Sequence, residues 1–343
     1  MDQLTHKKQD RKHNPFGAAH LNARDAYRDV PVLKQPTWNN EVAAYFFFGG
    51  ISAGAAVVGA LAGLTGGAKH KRLSRVAEYV SFVTLLPCPP LLIDDLGLPG
   101  RFHHMLRVFK PQSPMNVGSW ALTTHGAAAT LKVLKTLTSE GQALSKLPVV
   151  PGVLRYFPAR LVAAVNIPGA MLLGGYTGVL LGTTSVPVWH ESQLLGGLFM
   201  SSAFGTGLAA TSLAAELTGD VGDEEAGQLA ALGAIAGITE GALLVGYVAT
   251  SGESRKHLFK GISGKLMAGA AACLLTATAI EAASALAGKH NKGASSLASV
   301  AALAGGALLR WAVVKAGHAS TADREGTLAA MRPRDGSPGW RGA

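Results

Sequence analysis

Residues 41–69, EVAAYFFFGGISAGAAVVGALAGLTGGAK, carry charge only at their two ends, Glu41 and Lys69. A bilayer core of about 30 Å is crossed by about 20 helical residues rising about 1.5 Å each. The stretch therefore predicts a transmembrane helix. The same ruler finds two more uncharged runs, between Arg160 and Glu191 and between Glu191 and Glu216, and five further stretches of sufficient length. The expectation is an all-α integral membrane fold of eight spans, at about 41–66, 76–96, 116–137, 160–186, 192–215, 226–250, 264–287 and 294–315, flanked by polar tails at 1–40 and 316–343. An even number of spans puts both termini on one side.

Composition agrees. The chain has 343 residues, 48% hydrophobic and 15% charged, against roughly 25% charged in a soluble domain. A formal charge of +10 invites a nucleic-acid reading, but the basic residues sit between apolar runs, where membrane proteins place them beside headgroups. Two cysteines, Cys88 and Cys273, are too few for a disulfide framework or a four-thiolate metal site. The first forty residues contain no apolar h-region, so the first span is expected to act as the insertion signal. The basic residues of the amino-terminal tail, from Lys7 to Lys34, suit either a partner or lipid headgroups.

Glycine recurs at Gly50, Gly54, Gly59 and Gly63, at Gly174, Gly178 and Gly182, and at Gly233, Gly237 and Gly241. Small residues at such spacing let membrane helices approach closely, so these stripes predict helix contacts. Phe46–Ala56 (FFFGGISAGAA) and Phe199–Ala209 (FMSSAFGTGLA) form a faint repeat, with Gly54 and Gly207 in register. Such a repeat predicts two four-helix bundles.

The segment between the second and third spans holds the densest chemistry. Asp94 and Asp95 end an apolar helix and need partners there; Arg101 and Arg107 are the nearest candidates. Pro99, Pro111 and Pro114 with Gly97 and Gly100 predict a fixed, non-helical loop, whose Arg101, Phe102, Arg107 and Lys110 suit the docking of another subunit. Within the spans, His125, Asn166, Glu240 and Glu281 form a second polar set, which reads either as a proton path or as interhelical hydrogen bonding. A bis-histidine haem needs two facing ligands, and only His125 lies well inside a span. The surface pair His103–His104 and His190 beside Glu191 do not define a metal site. The acidic run from Glu216 to Glu225 reads as a solvated loop.

The D-L-G-x-P-x-R-F stretch at Asp95–Phe102, followed by Met105-Leu106, Ser113-Pro114-Met115 and the G-x-W of Gly118–Trp120, resembles the NrfD/PsrC family, the membrane subunits of polysulfide reductase-like complexes. Trp38–Gly54, Tyr176–Gly178, Pro187 and Trp189 resemble it too; Leu98 departs from it, standing where the family commonly has a basic residue, and the amino-terminal tail is long. The resemblance implies a subunit that exchanges electrons between menaquinone or ubiquinone and a ferredoxin-like iron–sulfur partner, itself attached to a molybdopterin catalytic subunit, with no haem or metal held by this chain. It implies that Tyr176, through its Y-x-G motif, contacts the quinone, with Glu41 and Tyr45 one helical turn apart nearby. Asp95 and Asp94 would then take a quinol proton, or else pair with Arg101. It also implies an inner-membrane location with the partner on the periplasmic side, whereas the basic tails favour the cytoplasmic face. Two other classes remain as alternatives. In a secondary transporter, Asn166, Pro168 and Gly169 would mark a broken helix; a purely structural anchor would need none of these residues.

Overall fold

A computed structural model of the chain describes residues 32–65, 70–95, 99–139, 156–219, 222–288 and 291–330, together with Gly152 and Leu154. The tail residues 1–31 and 331–343, Leu96, Gly97, Leu98 and Asp220 lie outside the described residues. Among those described there is no strand. The helices are α1 (Asn40–Thr65), α2 (Lys71–Leu85), α3 (Cys88–Asp95), α4 (Pro114–Ser139), α5 (Ala159–Gly182), α6 (Pro187–His190), α7 (Leu195–Thr218), α8 (Asp223–Thr250), α9 (Gly261–Ala287), α10 (Lys292–Ala322) and α11 (Arg324–Ala330).

Seven helical stretches among the described residues are long and apolar enough to cross a membrane: α1, α2 with α3, α5, α7, α8, α9 and α10. The chain is thus a multi-pass membrane protein. Where eight apolar spans were expected, α4 falls outside the seven. It is 26 residues long, but its threonines and Lys132 and Lys135 dilute its hydropathy. The second span starts earlier than its sequence pattern suggests, at Lys71, and steps at Leu86 and Pro87 before α3 resumes. Pro89 and Pro90 sit in the first turn of α3, where a missing N–H costs nothing. The last span runs past Lys315 to Ala322.

The loop before α4 differs from its expected form. Pro99–Leu106 winds into a 3₁₀ helix, because proline at a first position is compatible with a helical φ and only forbids an interior one. The acidic run is likewise helical rather than a loop. Glu216 belongs to α7 and accepts from Ser296 Oγ at 2.6 Å, while Asp223, Glu224 and Glu225 fill the first turn of α8, where negative charge complements the helix dipole. Gly219, at φ 70°, closes α7 in the left-handed conformation that glycine adopts without strain.

The glycine stripes explain the close packing. A Cβ on Gly54 would overlap the Ala203 carbonyl of α7, and one on Gly207 would overlap the Gly54 backbone. The two repeat-matched glycines therefore meet each other, as self-equivalent positions do across a two-fold. Gly178 of α5 stands equally close to the Leu195 carbonyl. On α8 the stripe does something else: Gly233 and Gly237 make room for the side chains of Glu281 and Thr278 on α9.

Hydrogen bonds fix which helix ends share a face. Trp189 Nε1 donates to the Val313 carbonyl at 2.8 Å, His318 Nε2 lies 2.7 Å from the Trp38 carbonyl, and Lys256 and His257 both reach Asp323. These gather the start of α1, α6, the 3₁₀ turn Gly252–Leu258 and the end of α10. On the opposite face Glu216 meets Ser296 and His70 approaches Glu225.

Candidate functional site

On the first of these faces, four helices enclose a small cavity. α1 contributes Val42, Tyr45 and Phe46, α3 Leu91, Leu92 and Asp95, α4 Met115, Gly118 and Ser119, and α5 Tyr176 and Leu180, with Trp38 at the rim. Spacings of three and four residues put each set on one helix face. The volume is about 30 Å³, room for one or two waters. Tyr176 lies over Gly118, whose absent side chain is what admits the ring. Tyr45 neighbours both Tyr176 and the buried Cys88.

The hydrogen-bonding inventory of this cavity is unusual. Neither the Tyr45 nor the Tyr176 phenol makes a hydrogen bond among the described residues, although both rings are buried. Ser119 spends its hydroxyl on the Met115 carbonyl at 2.9 Å. Asp95 is half-buried, with Glu41 and Asp94 as acidic neighbours. Two phenol donors facing this slot beside a carboxylate can hydrogen-bond water or a polar ligand there. The structure thus brings Tyr176, Tyr45 and Asp95 into one lining, with Glu41 just outside it and Asp94 exposed.

The expected ion pairs are absent: among the described residues, no salt bridge joins Asp94 or Asp95 to Arg101 or Arg107. The 3₁₀ helix carries the arginines outward instead, leaving Arg101, Phe102, Arg107 and Lys110 all exposed. Asn116 pins this loop to α4, donating to the Met105 carbonyl at 2.7 Å and accepting from the Lys110 N–H at 2.6 Å. Trp38 and Trp189, both singled out in the sequence, stack with centroids 5.8 Å apart at the rim.

The inner polar set divides into two groups. In the first, Ser52 Oγ donates to the Ser81 carbonyl at 2.8 Å and lies 2.9 Å from His125 Nε2. Ser52 has one proton and gives it to Ser81, so His125 Nε2–H is the donor at Ser52. Its Nδ1 lies 3.0 Å from Asn166 Oδ1, a hydrogen bond when the ring carries its second proton. In the second group, Glu240 and Glu281 line one cavity of about 20 Å³ with Thr206 and Thr278. Arg310, 1% exposed, donates to the Phe46 carbonyl at 3.0 Å, the Gly306 carbonyl at 2.7 Å and Ser202 Oγ at 3.0 Å, with the Glu240 carboxyl as its electrostatic neighbour. Among the described residues no direct hydrogen bond joins the two groups.

Sequence reasoning missed Arg310, Ser52, Ser202 and the ion pair of Lys132 with Glu78, 2.9 Å long. The signal for Arg310 was a single charge inside the apolar run of α10. Elsewhere, an apolar fissure of about 380 Å³ opens between α1, α5, α7 and α8. Its hydroxyls, Ser201 and Thr239, are already spent on the carbonyls of Ala236 and Ile235. Among the described residues no group of three His, Cys, Asp or Glu converges as a metal site.

A family model described as "Polysulphide reductase, NrfD" matches residues 31–322 of the chain. No curated protein matches it.

Proposed function

Because the chain belongs to the polysulphide reductase NrfD family, whose members are membrane subunits of polysulfide- and quinone-linked oxidoreductases, we propose that it is the quinone-reactive subunit of such a complex. It exchanges electrons between a menaquinone or ubiquinone pool and an iron–sulfur partner. The observation that carries this reading is the cavity of Tyr45, Tyr176 and Asp95, with two buried phenols that have no partner among the described residues. A bound quinone supplies the two-electron, two-proton redox chemistry. The chain's own groups do the rest. Tyr176 and Tyr45 would hydrogen-bond the ring oxygens, Gly118 leaves room for the Tyr176 ring, and Asp95 at the cavity edge would take up or supply the protons, with Asp94, Glu41 and solvent beyond it. The donor set fits a quinone head, whereas the 30 Å³ volume holds only water, so admitting the ring requires the lining to part.

The partner's docking surface in this reading is the exposed 3₁₀ loop with Arg101, Phe102, Arg107 and Lys110, on the face that the cavity shares. A molybdopterin subunit stands behind it. We take α4 as the eighth membrane helix: His125 and Lys132 bond it to the bundle from within. The close pair of Gly54 and Gly207 then stands between two four-helix halves. His125 with Asn166, and Glu240 with Glu281, act as one proton-holding station in each half. The location is the cell inner membrane, with the loop face periplasmic. The transporter alternative loses its main sign, because α5 runs continuously through Pro168 and Gly169, and Asn166 is committed to His125.

Affinity purification from native membranes in mild detergent tests this assignment. Co-purification of an iron–sulfur subunit, with molybdenum or tungsten and extractable quinone, is the expected result. A chain that repeatedly arrives without iron or quinone contradicts it.

A further inference from the structure

On the face opposite Tyr176 and Asp95, where α1 ends and α2 and α5 begin, a vestibule of about 480 Å³ opens. Its lining carries Lys71, Lys132, Lys135 and Arg160, and Arg75 with an interaction of its own, against one carboxylate, Glu78. That carboxylate is already engaged: Oε1 receives Lys132 Nζ at 2.9 Å, and Oε2 accepts from Thr136 Oγ1 at 3.0 Å. Lys135 donates to the Leu154 carbonyl at 2.8 Å, a neutral acceptor, and has no carboxylate partner among the described residues. Lys71 and Arg160 have no ion pair among the described residues.

Backbone polarity adds to the side chains. α2 starts at Lys71 and α5 at Ala159, both in the lining, and neither N-cap, His70 or Pro158, supplies a side-chain acceptor. The positive ends of two long helices therefore meet the same space that holds the cations. Positive charge gathered beside a low-dielectric bundle repels itself unless an anion is present. The rest of the wall is small and apolar, Gly59, Gly63, Leu64 and Ala163. Beyond Arg160 the exposed face of α5 continues as Leu161 and Val165. A charged mouth above an apolar face matches the headgroup and acyl regions of a lipid.

We propose that this vestibule binds a phosphate-bearing anion at the membrane interface, the phosphodiester of an anionic lipid or free phosphate. Arg160 and Lys71 bind it from the rim, the two helix N-termini donate N–H groups, and Lys135 lies deeper. The Glu78–Lys132 pair forms a neutral floor that excludes a second anion.

The test uses the purified full chain, delipidated in neutral detergent. Retention of short-chain phosphatidylglycerol and phosphatidylcholine is counted by native mass spectrometry, with and without inorganic phosphate as competitor. The comparison variant is Lys71→Gln with Arg160→Gln. Each basic group near a membrane surface contributes enough that losing two should weaken retention by about tenfold or more. Selective phosphatidylglycerol retention that survives phosphate and is lost in the variant supports the lipid source. Phosphate binding that the variant abolishes, without lipid selectivity, supports the free anion. Equal retention of both lipids with no phosphate binding, or a variant of unchanged melting temperature and unchanged retention, overturns the proposal. Should the double variant fail to fold, Arg160→Gln alone is read against Arg160→Lys, and the site stands only if lysine restores binding.

Discussion

Tyr176 on α5 lies directly over the backbone of Gly118 on α4, so close that a Cβ at position 118 would fall inside its ring. The glycine of the G-x-W motif and the tyrosine of the Y-x-G motif are thus two halves of one arrangement. A side chain at 118 and a tyrosine at 176 in this position are mutually exclusive.

Gly118→Ala is therefore expected to displace the Tyr176 phenol while leaving the bundle assembled. Quinol turnover of the purified complex should fall at least ~10-fold, about 1.4 kcal/mol of barrier. Adding Gly118→Ala to Tyr176→Phe should cost much less than it does alone, because both changes remove one interaction. Additive losses would show that Gly118 acts elsewhere.

Arg310 and Glu240 form the second prediction. Arg310 is buried with Glu240 as its electrostatic neighbour, and it donates to the Phe46 and Gly306 carbonyls and to Ser202 Oγ; removing it leaves those acceptors unpaired, at roughly 1–3 kcal/mol. Arg310→Met alone should sharply lower the melting temperature and the folded yield in detergent, and Glu240→Gln in the same chain should restore part of the loss. Equal melting of the two variants would contradict the coupling between Arg310 and Glu240.

Asp323 sets a pH dependence at the end of α10. Its carboxyl is held at about 2, first by the hydrogen bond from Lys256, then by the Gly326 N–H and His257. Unfolded, it titrates near ~3.9. A group with a depressed folded value contributes stability above its unfolded value, and that contribution fades as pH falls toward the folded one. Asp323→Asn should thus melt lower than the parent protein at pH 7, with the gap closing between about pH 4 and 2. A gap that does not change with pH would assign the difference to packing.

Much of the site was legible because it depends on local spacing. Tyr45 lies one helical turn from Glu41 on α1, and Tyr176 is marked by its flanking Gly178. That Asp95 and Arg101 stay unpaired was not legible, since it depends on the path of a loop, and the 3₁₀ turn carries the arginine outward. Arg310 was hidden by a boundary. With the last span ending near Lys315, an arginine there reads as a residue near the helix end, but α10 continues to Ala322 and draws it inside. The glycine stripe of α8 reads as helix contact by spacing alone; only the facing helix reveals that Gly233 makes room for the Glu281 carboxylate.

The central claim is that Tyr176 and Asp95 handle the quinone. Its most direct test is quinol-dependent reduction of the iron–sulfur partner by the purified complex, comparing the native chain with Tyr176→Phe and Asp95→Asn at equal partner content. Each variant is predicted to turn over at least ~10-fold more slowly. Unchanged rates in correctly assembled complexes would contradict the assignment.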